Sequence, residues 1–256
     1  MTRTPPRTAW RRSHWLVLAL IYWVTVSLAH LPFSLWLLRQ RQSPWGPFAF
    51  VDALPGLIVA AGLVLVAWIT RNIARHPRPL LVSTTWLAWL ACVAAVDRTL
   101  TYSLPEYFHY PQYALLALLL ARFIDPDRRR YTPGRIIFWT TLLGGLDELA
   151  QYLWTTAHYS AYLDFNDLLT NLLAAIAGTL LHYGKPGSPA YAIPTPPRIE
   201  ALTLGGLVLI VATALATGRL AITPPPGANV PPGGILQADD SPVRAYLQRK
   251  HPGAYA

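Results

Sequence analysis

A chain of 256 residues that is 53% hydrophobic, only 13% charged and carries ten tryptophans is too apolar for an ordinary soluble domain. Its formal charge of +9 does not mark a nucleic-acid binder, because the arginines stand at the ends of apolar runs and form no basic domain. The single cysteine, Cys92, excludes an intramolecular disulfide and a cysteine-based metal site, and reads as a small residue facing core or lipid.

Seven apolar stretches follow in chain order, over residues 15–38, 51–69, 80–96, 107–124, 136–154, 167–183 and 201–217. Each is long enough, or nearly so, to cross about 30 Å of hydrocarbon as a helix. The first follows Arg11 and Arg12 and contains a small-residue Ser27-Leu28-Ala29 site. Its apolar run continues past that site to Leu38, so it reads as a helix and not as a cleaved leader. The third stretch is short and the sixth begins polar. The expected fold is all-α, a polytopic transmembrane helix bundle of about seven spans. It divides into helices one to three (1–99), a core of helices four to six (100–183), helix seven (200–222) and a Pro/Gly-rich tail (223–256) containing "TPPPGANVPPGG".

Alternate connections hold fourteen and seven of the lysines and arginines, with five of the fourteen between Arg122 and Arg135. The positive-inside rule then sets the N-terminus in the cytoplasm and the C-terminus outside, as a multi-pass protein of the cell membrane. With that orientation the unusual polar residues gather at the outer face. Asp97 and Arg98 end helix three there, Glu106 and His109 begin helix four, Asp147, Glu148 and Gln151 end helix five, and Asp164, Asp167 and Asn171 begin helix six.

Residues three, four and seven apart share a helix face. Glu106, His109 and Tyr113 form one stripe, and Asp147 with Gln151 a second, with Gly144 one turn below and Glu148 turned about 100° away. Asp167, Asn171, Ala174 and Gly178 form a third, polar above and small beneath, which suits close helix packing. Isolated polar groups of this kind join helices. A layer of several carboxylates with an imidazole points instead to a pocket, since ionisable residues inside a membrane mark functional sites.

The segments "HYPQYALLALLL" (His109, Tyr113), "DELAQ" (Asp147, Glu148, Gln151) and "DLLTNLLAAIAG" (Asp167, Asn171, Gly178) resemble the three motifs of VanZ-like membrane proteins, over residues 100–181. Three positions depart from that pattern: "TTAHYSAYLDFN" lacks the Pro-Gly-Arg turn, Ala174 stands where a glycine is expected, and Glu106-Tyr107 replaces Asp-Lys. The resemblance implies a cell-envelope role linked to reduced susceptibility to glycopeptide antibiotics.

Several functions fit these residues. One is a protein that binds or remodels an envelope lipid, a lipid-linked precursor or an amphipathic antibiotic, through Glu106, His109, Tyr113, Asp147, Glu148, Gln151, Asp167 and Asn171. Tyr107, Tyr110, Tyr152, Trp154, Tyr159 and Tyr162 would form either a headgroup-level cleft or an ordinary interfacial belt. A second is an intramembrane hydrolase or transferase with Asp147, Glu148, Asp167 and His109 as catalytic candidates, or with His109, Glu148 and Asp167 holding a metal. No H-E-x2-H or Gly-x-Ser-x-Gly motif accompanies them, so no metal or cofactor is assigned, and His158 reads as a loop residue. A third is a proton-coupled transporter, although no internal repeat is visible. A purely structural or partner-binding membrane protein is the fourth. The partner expected is a membrane lipid or lipid-linked envelope molecule, not a nucleic acid.

Overall fold

In the computed structural model every described element is helical. The description covers residues 7–41, 50–99, 106–128, 131–155, 163, 165–186 and 198–217. The proline-rich tail, His158, Tyr159, Tyr162 and Asp164 lie outside them. The helices are α1 (Arg7–Arg41), α2 (Phe50–Ala74), α3 (Pro79–Thr99), α4 (Glu106–Ile124), α5 (Pro133–Ala150), α6 (Phe165–Tyr183) and α7 (Arg198–Ala216). A single π-helical turn, Gln151–Thr155, extends α5, where the sequence reading expected one unbroken helix. α1 runs through Ser27-Leu28-Ala29 without a break.

The centre of the bundle is α4, α5 and α6, and small residues set its spacing. A Cβ at Gly178 would run into the backbone carbonyl of Ala114 and stand 2.7 Å from the Ala117 methyl, so only glycine lets α6 lie this close to α4. A Cβ at Gly144 would come within 2.9 Å of the Asn171 amide, so the bare face of α5 is the seat of that side chain. Around this centre, α1 packs Ala19 among Tyr113, Leu116, Leu120 and Ala174, and α3 packs Val82 and Trp86 against Ala177. Aromatic donors fasten both outer helices to backbone carbonyls: Tyr22 to Gln112, Trp23 to Leu143 and Trp89 to Leu173.

These contacts fix the direction of each helix. Trp15 of α1 lies under the Arg122 guanidinium, Trp68 of α2 under Lys185, Val82 of α3 beside Gly184, and Glu200 of α7 against Arg135. At the opposite end Phe33 meets Phe108, and Tyr107 donates to Asp97 at 2.5 Å. Successive helices therefore alternate in direction, and the basic connections gather at one end. Lys185, at that end, is held below the usual lysine range by its burial and by the nearby Arg122 and Arg128.

That basic end is closed by a buried knot. Asp125 Oδ2 accepts from the Tyr183 hydroxyl at 2.8 Å and from the Tyr131 backbone N–H at 3.0 Å, while the His182 Nε2 lies 2.9 Å from the Asp125 carbonyl. The Tyr183 hydroxyl in turn accepts from the Thr132 N–H. Two residues of the turn, Arg128 (φ 58°) and Tyr131 (φ 46°), sit in the left-handed region at a cost of about 1–2 kcal/mol each, which this network offsets.

The surface is the reverse of a water-soluble protein's. Leu63 and Val64 on α2, Leu87 on α3 and Leu202 and Leu209 on α7 are all more than half exposed, while Asp147, Asn171 and His109 are buried. Two segments, Arg12–Ala29 in α1 and Pro79–Arg98 in α3, are long and apolar enough to cross a membrane; α2 and α7 hold shorter apolar stretches, Val59–Ala74 and Ile199–Ala214. The central helices are less apolar because each carries polar groups for the interior. Cys92 is exposed on α3.

Candidate functional site

The end opposite the knot holds the site. His109 and Asp125 mark the two ends on α4, sixteen residues or about 24 Å apart. Pro111 cannot donate to the carbonyl of Tyr107, so the first turn of α4 is held less by backbone bonds. Side chains take over: Tyr107 reaches Asp97 on α3, and Tyr113 donates its hydroxyl to Asp147 Oδ2 on α5 at 2.5 Å. Tyr113 also stacks on the His109 ring, with centroids 5.8 Å apart and planes 25° from parallel.

His109 is the hub. Its Nδ1 stands 2.8 Å from Asn171 Oδ1 on α6 and 3.7 Å from Glu148 Oε1 on α5, and its Nε2 stands 3.8 Å from Asp167 Oδ1. The Asn171 amide donates a long 3.4 Å bond to the same Glu148 oxygen. With its oxygen turned to Nδ1 and its nitrogen to a carboxylate, Asn171 assigns a proton to Nδ1 of His109, and Nε2 faces Asp167. Asp167 is the most open member at 17% side-chain exposure, against 2% for His109 and 6% for Glu148.

Asp147 differs from Glu148. Its Oδ2 is bound by Tyr113, and its Oδ1 is buried with no hydrogen-bond partner among the described residues. A buried carboxylate oxygen without a donor is costly and needs a function, a water or an ion to account for it. Glu106 is buried at the head of α4. Gln151 opens the π-helical turn, and its backbone N–H is shared between the Asp147 and Glu148 carbonyls. Turns of this kind recur at functional sites because they redirect side chains.

The three stripes of the sequence thus meet through His109, Tyr113, Asp147, Glu148, Asp167 and Asn171. Glu148 corrects the face assignment: although 100° from Asp147, it faces inward. α5 touches α4 on one flank and α6 on the other, so Asp147 meets Tyr113 while Glu148, one turn above Gly144, meets Asn171 and His109. Trp154 is 74% exposed and lines no pocket, in keeping with the belt reading for that residue.

Sequence reasoning passed over the Asp125, His182 and Tyr183 knot and the Arg135–Glu200 pair, in which Trp139 also donates to Glu200. Their signal was present as polar residues at the basic ends of helices, where charged groups are expected and attract no notice. Chemically, the cluster offers one imidazole and three carboxylates. It can hold a hydrogen-bond donor, a cation or a proton. Comparisons of the chain with family models, with curated proteins and with solved structures give no match.

Proposed function

We propose that the chain is a VanZ-like protein that crosses the cell membrane about seven times and binds, or remodels, an envelope lipid or lipid-linked precursor at the His109 cluster. The apolar exposure of α1, α2, α3 and α7 supports burial in lipid. In the Pro79–Arg98 segment only 11% of the residues are buried inside the protein, unlike a soluble core helix. The alternating helix directions put Arg122, Arg128, Arg135 and Lys185 at one end, the cytoplasmic end by the positive-inside rule. The cluster then opens outward near headgroup depth, and the N- and C-termini lie on opposite sides of the membrane.

One observation carries the binding reading: side chains from three helices converge on His109 in a buried layer whose most exposed member, Asp167, lies at its edge. Helix-joining bonds alone would not require an Asp147 oxygen buried without a partner among the described residues. Headgroup hydroxyls and ammonium groups are donors that such carboxylates accept. Native mass spectrometry of the full-length protein extracted from its membrane tests this. Wild type is expected to retain a lipid that the Asp147→Asn, Asp167→Asn double variant loses at equal abundance, and equal retention by both defeats the reading.

A further inference from the structure

The cluster's charge poses a problem for any ligand that carries phosphate. Glu148 and Asp167 flank a single imidazole, Asp147 is linked to it through Tyr113, and the sequence holds no lysine or arginine from residue 99 to 121 or from 136 to 184. The nearest basic residues on these helices are committed at the far end, Arg122 to Trp15 and Arg135 to Glu200. On its own, such a pocket repels an anionic headgroup.

The geometry supplies a remedy. One ligand atom each from His109, Glu148 and Asp167 lie within 4.8 Å of one another. Donors about 2.1 Å from a tetrahedral ion stand roughly 3.4 Å apart. Nε2 stands 3.8 Å from Asp167 Oδ1, whereas the 3.7 Å to Glu148 Oε1 is measured from Nδ1. An ion shared on Nε2 therefore requires the Glu148 carboxylate to swing toward that nitrogen within the 4.8 Å that spans the three ligand atoms. His109 is also oriented as metal-binding histidines are: Nδ1 is engaged by the Asn171 oxygen, which fixes the ring and turns Nε2 toward Asp167. Nε2 facing a carboxylate oxygen calls for positive charge between them, which a proton or a metal ion supplies.

We infer that His109, Glu148 and Asp167 bind one divalent first-row metal ion of the Mn²⁺ or Zn²⁺ class, with Asn171 as the residue that positions the imidazole. One nitrogen and two carboxylate donors suit these ions, and three protein ligands leave an open position. Resting on the lipid reading above, that open position is where a headgroup phosphate oxygen is received. The ion offsets two of the three carboxylate charges and offers a phosphate oxygen a direct bond to a cation.

The test uses the full-length protein in detergent, purified without a polyhistidine tag and stripped with chelator, then titrated with Mn²⁺ and separately with Zn²⁺. One saturable ion per chain is expected, with imidazole nitrogen coupling in the electron spin echo spectrum of the Mn²⁺ form. Glu148→Gln and Asp167→Asn should each weaken binding at least about tenfold, and Asn171→Ala by about 10–100-fold although it removes no ligand. Wild-type protein that binds neither ion saturably, or binds Mn²⁺ with no nitrogen coupling, overturns the inference whatever the variants do. Phosphatidylglycerol uptake from neutral-lipid nanodiscs, measured on stripped and Mn²⁺-loaded protein, separates the two claims. Ion binding with no uptake in either form refutes only the lipid reading; equal uptake in both forms without ion binding refutes only the metal site.

Discussion

Replacing Gly178 by alanine tests whether α4 and α6 are in the close contact on which the site depends. The added methyl would collide with the Ala114 carbonyl and lie 2.7 Å from the Ala117 Cβ, neither of which is the movable end of a flexible side chain. Overpacking of this kind costs about 1–3 kcal/mol. Alanine also gains up to about 1 kcal/mol over glycine from its helix preference. A control removes that term: at Gly206, on α7, an added Cβ meets nothing within 4 Å, so Gly206→Ala carries the helix gain alone. The difference between the two variants isolates the clash. It should be about 1–3 kcal/mol, or a factor of roughly five to a hundred and fifty in the folded-to-unfolded ratio. Reversible unfolding of both proteins in mixed micelles, followed by tryptophan fluorescence, measures it. Equal stability of Gly178→Ala and Gly206→Ala would refute the helix contact and with it the depth assigned to Asn171, two turns above Gly178.

Gly144→Ala should act differently, displacing the Asn171 amide by a few tenths of an ångström and weakening ligand or ion binding more than stability; melting and binding measured together check this. Tyr183→Phe, at the opposite end, removes the hydroxyl between Asp125 and Thr132 and should cost about 1.5–3 kcal/mol in micelle unfolding while leaving lipid binding unchanged. Reporters fused after Ala256 and near Arg129 should lie outside and inside the cytoplasm respectively, and a cytoplasmic C-terminus would require an even number of spans. Asp147→Asn should abolish function at normal abundance, whereas Asp147→Leu should also reduce abundance, because leucine leaves the Tyr113 hydroxyl without its buried acceptor.

The helices were legible because their apolar runs are long and bounded by arginines. Their ends were less so: α1 and α2 continue several residues beyond the apolar stretches into Arg-bearing turns, since a helix need not stop where its apolar stretch does. The candidate site was legible as three stripes because i, i+3, i+4 and i+7 spacing is a property of one helix. What spacing within a helix cannot supply is its rotation against two neighbours at once. That is why Glu148 was set aside from the Asp147 face, when α5 uses both flanks. The π-helical turn after Ala150 was equally invisible, because "QYLWT" has ordinary helical composition and nothing local demands a wider turn.

The two ends of the central bundle use similar residues for opposite purposes, and hydrogen-bond saturation tells them apart. At the basic end Asp125 has a donor to Oδ2 from Tyr183 and another from the Tyr131 backbone, its carbonyl is met by His182, and the result stabilises a strained turn. At the opposite end Asp147 has one strong donor and one buried oxygen without a partner among the described residues, and His109 lies 3.7–3.8 Å from the Glu148 and Asp167 carboxylates. Separations of 3.7–3.8 Å are beyond hydrogen-bond contact, so these carboxylates and the imidazole do not hold one another directly. The small-residue seam through Ala174 and Gly178 lies between the two and couples them mechanically, since the knot and the close helix approach hold α4 and α6 in register. With α4 and α6 held in register, the buried cluster of charged groups keeps its geometry inside an apolar protein.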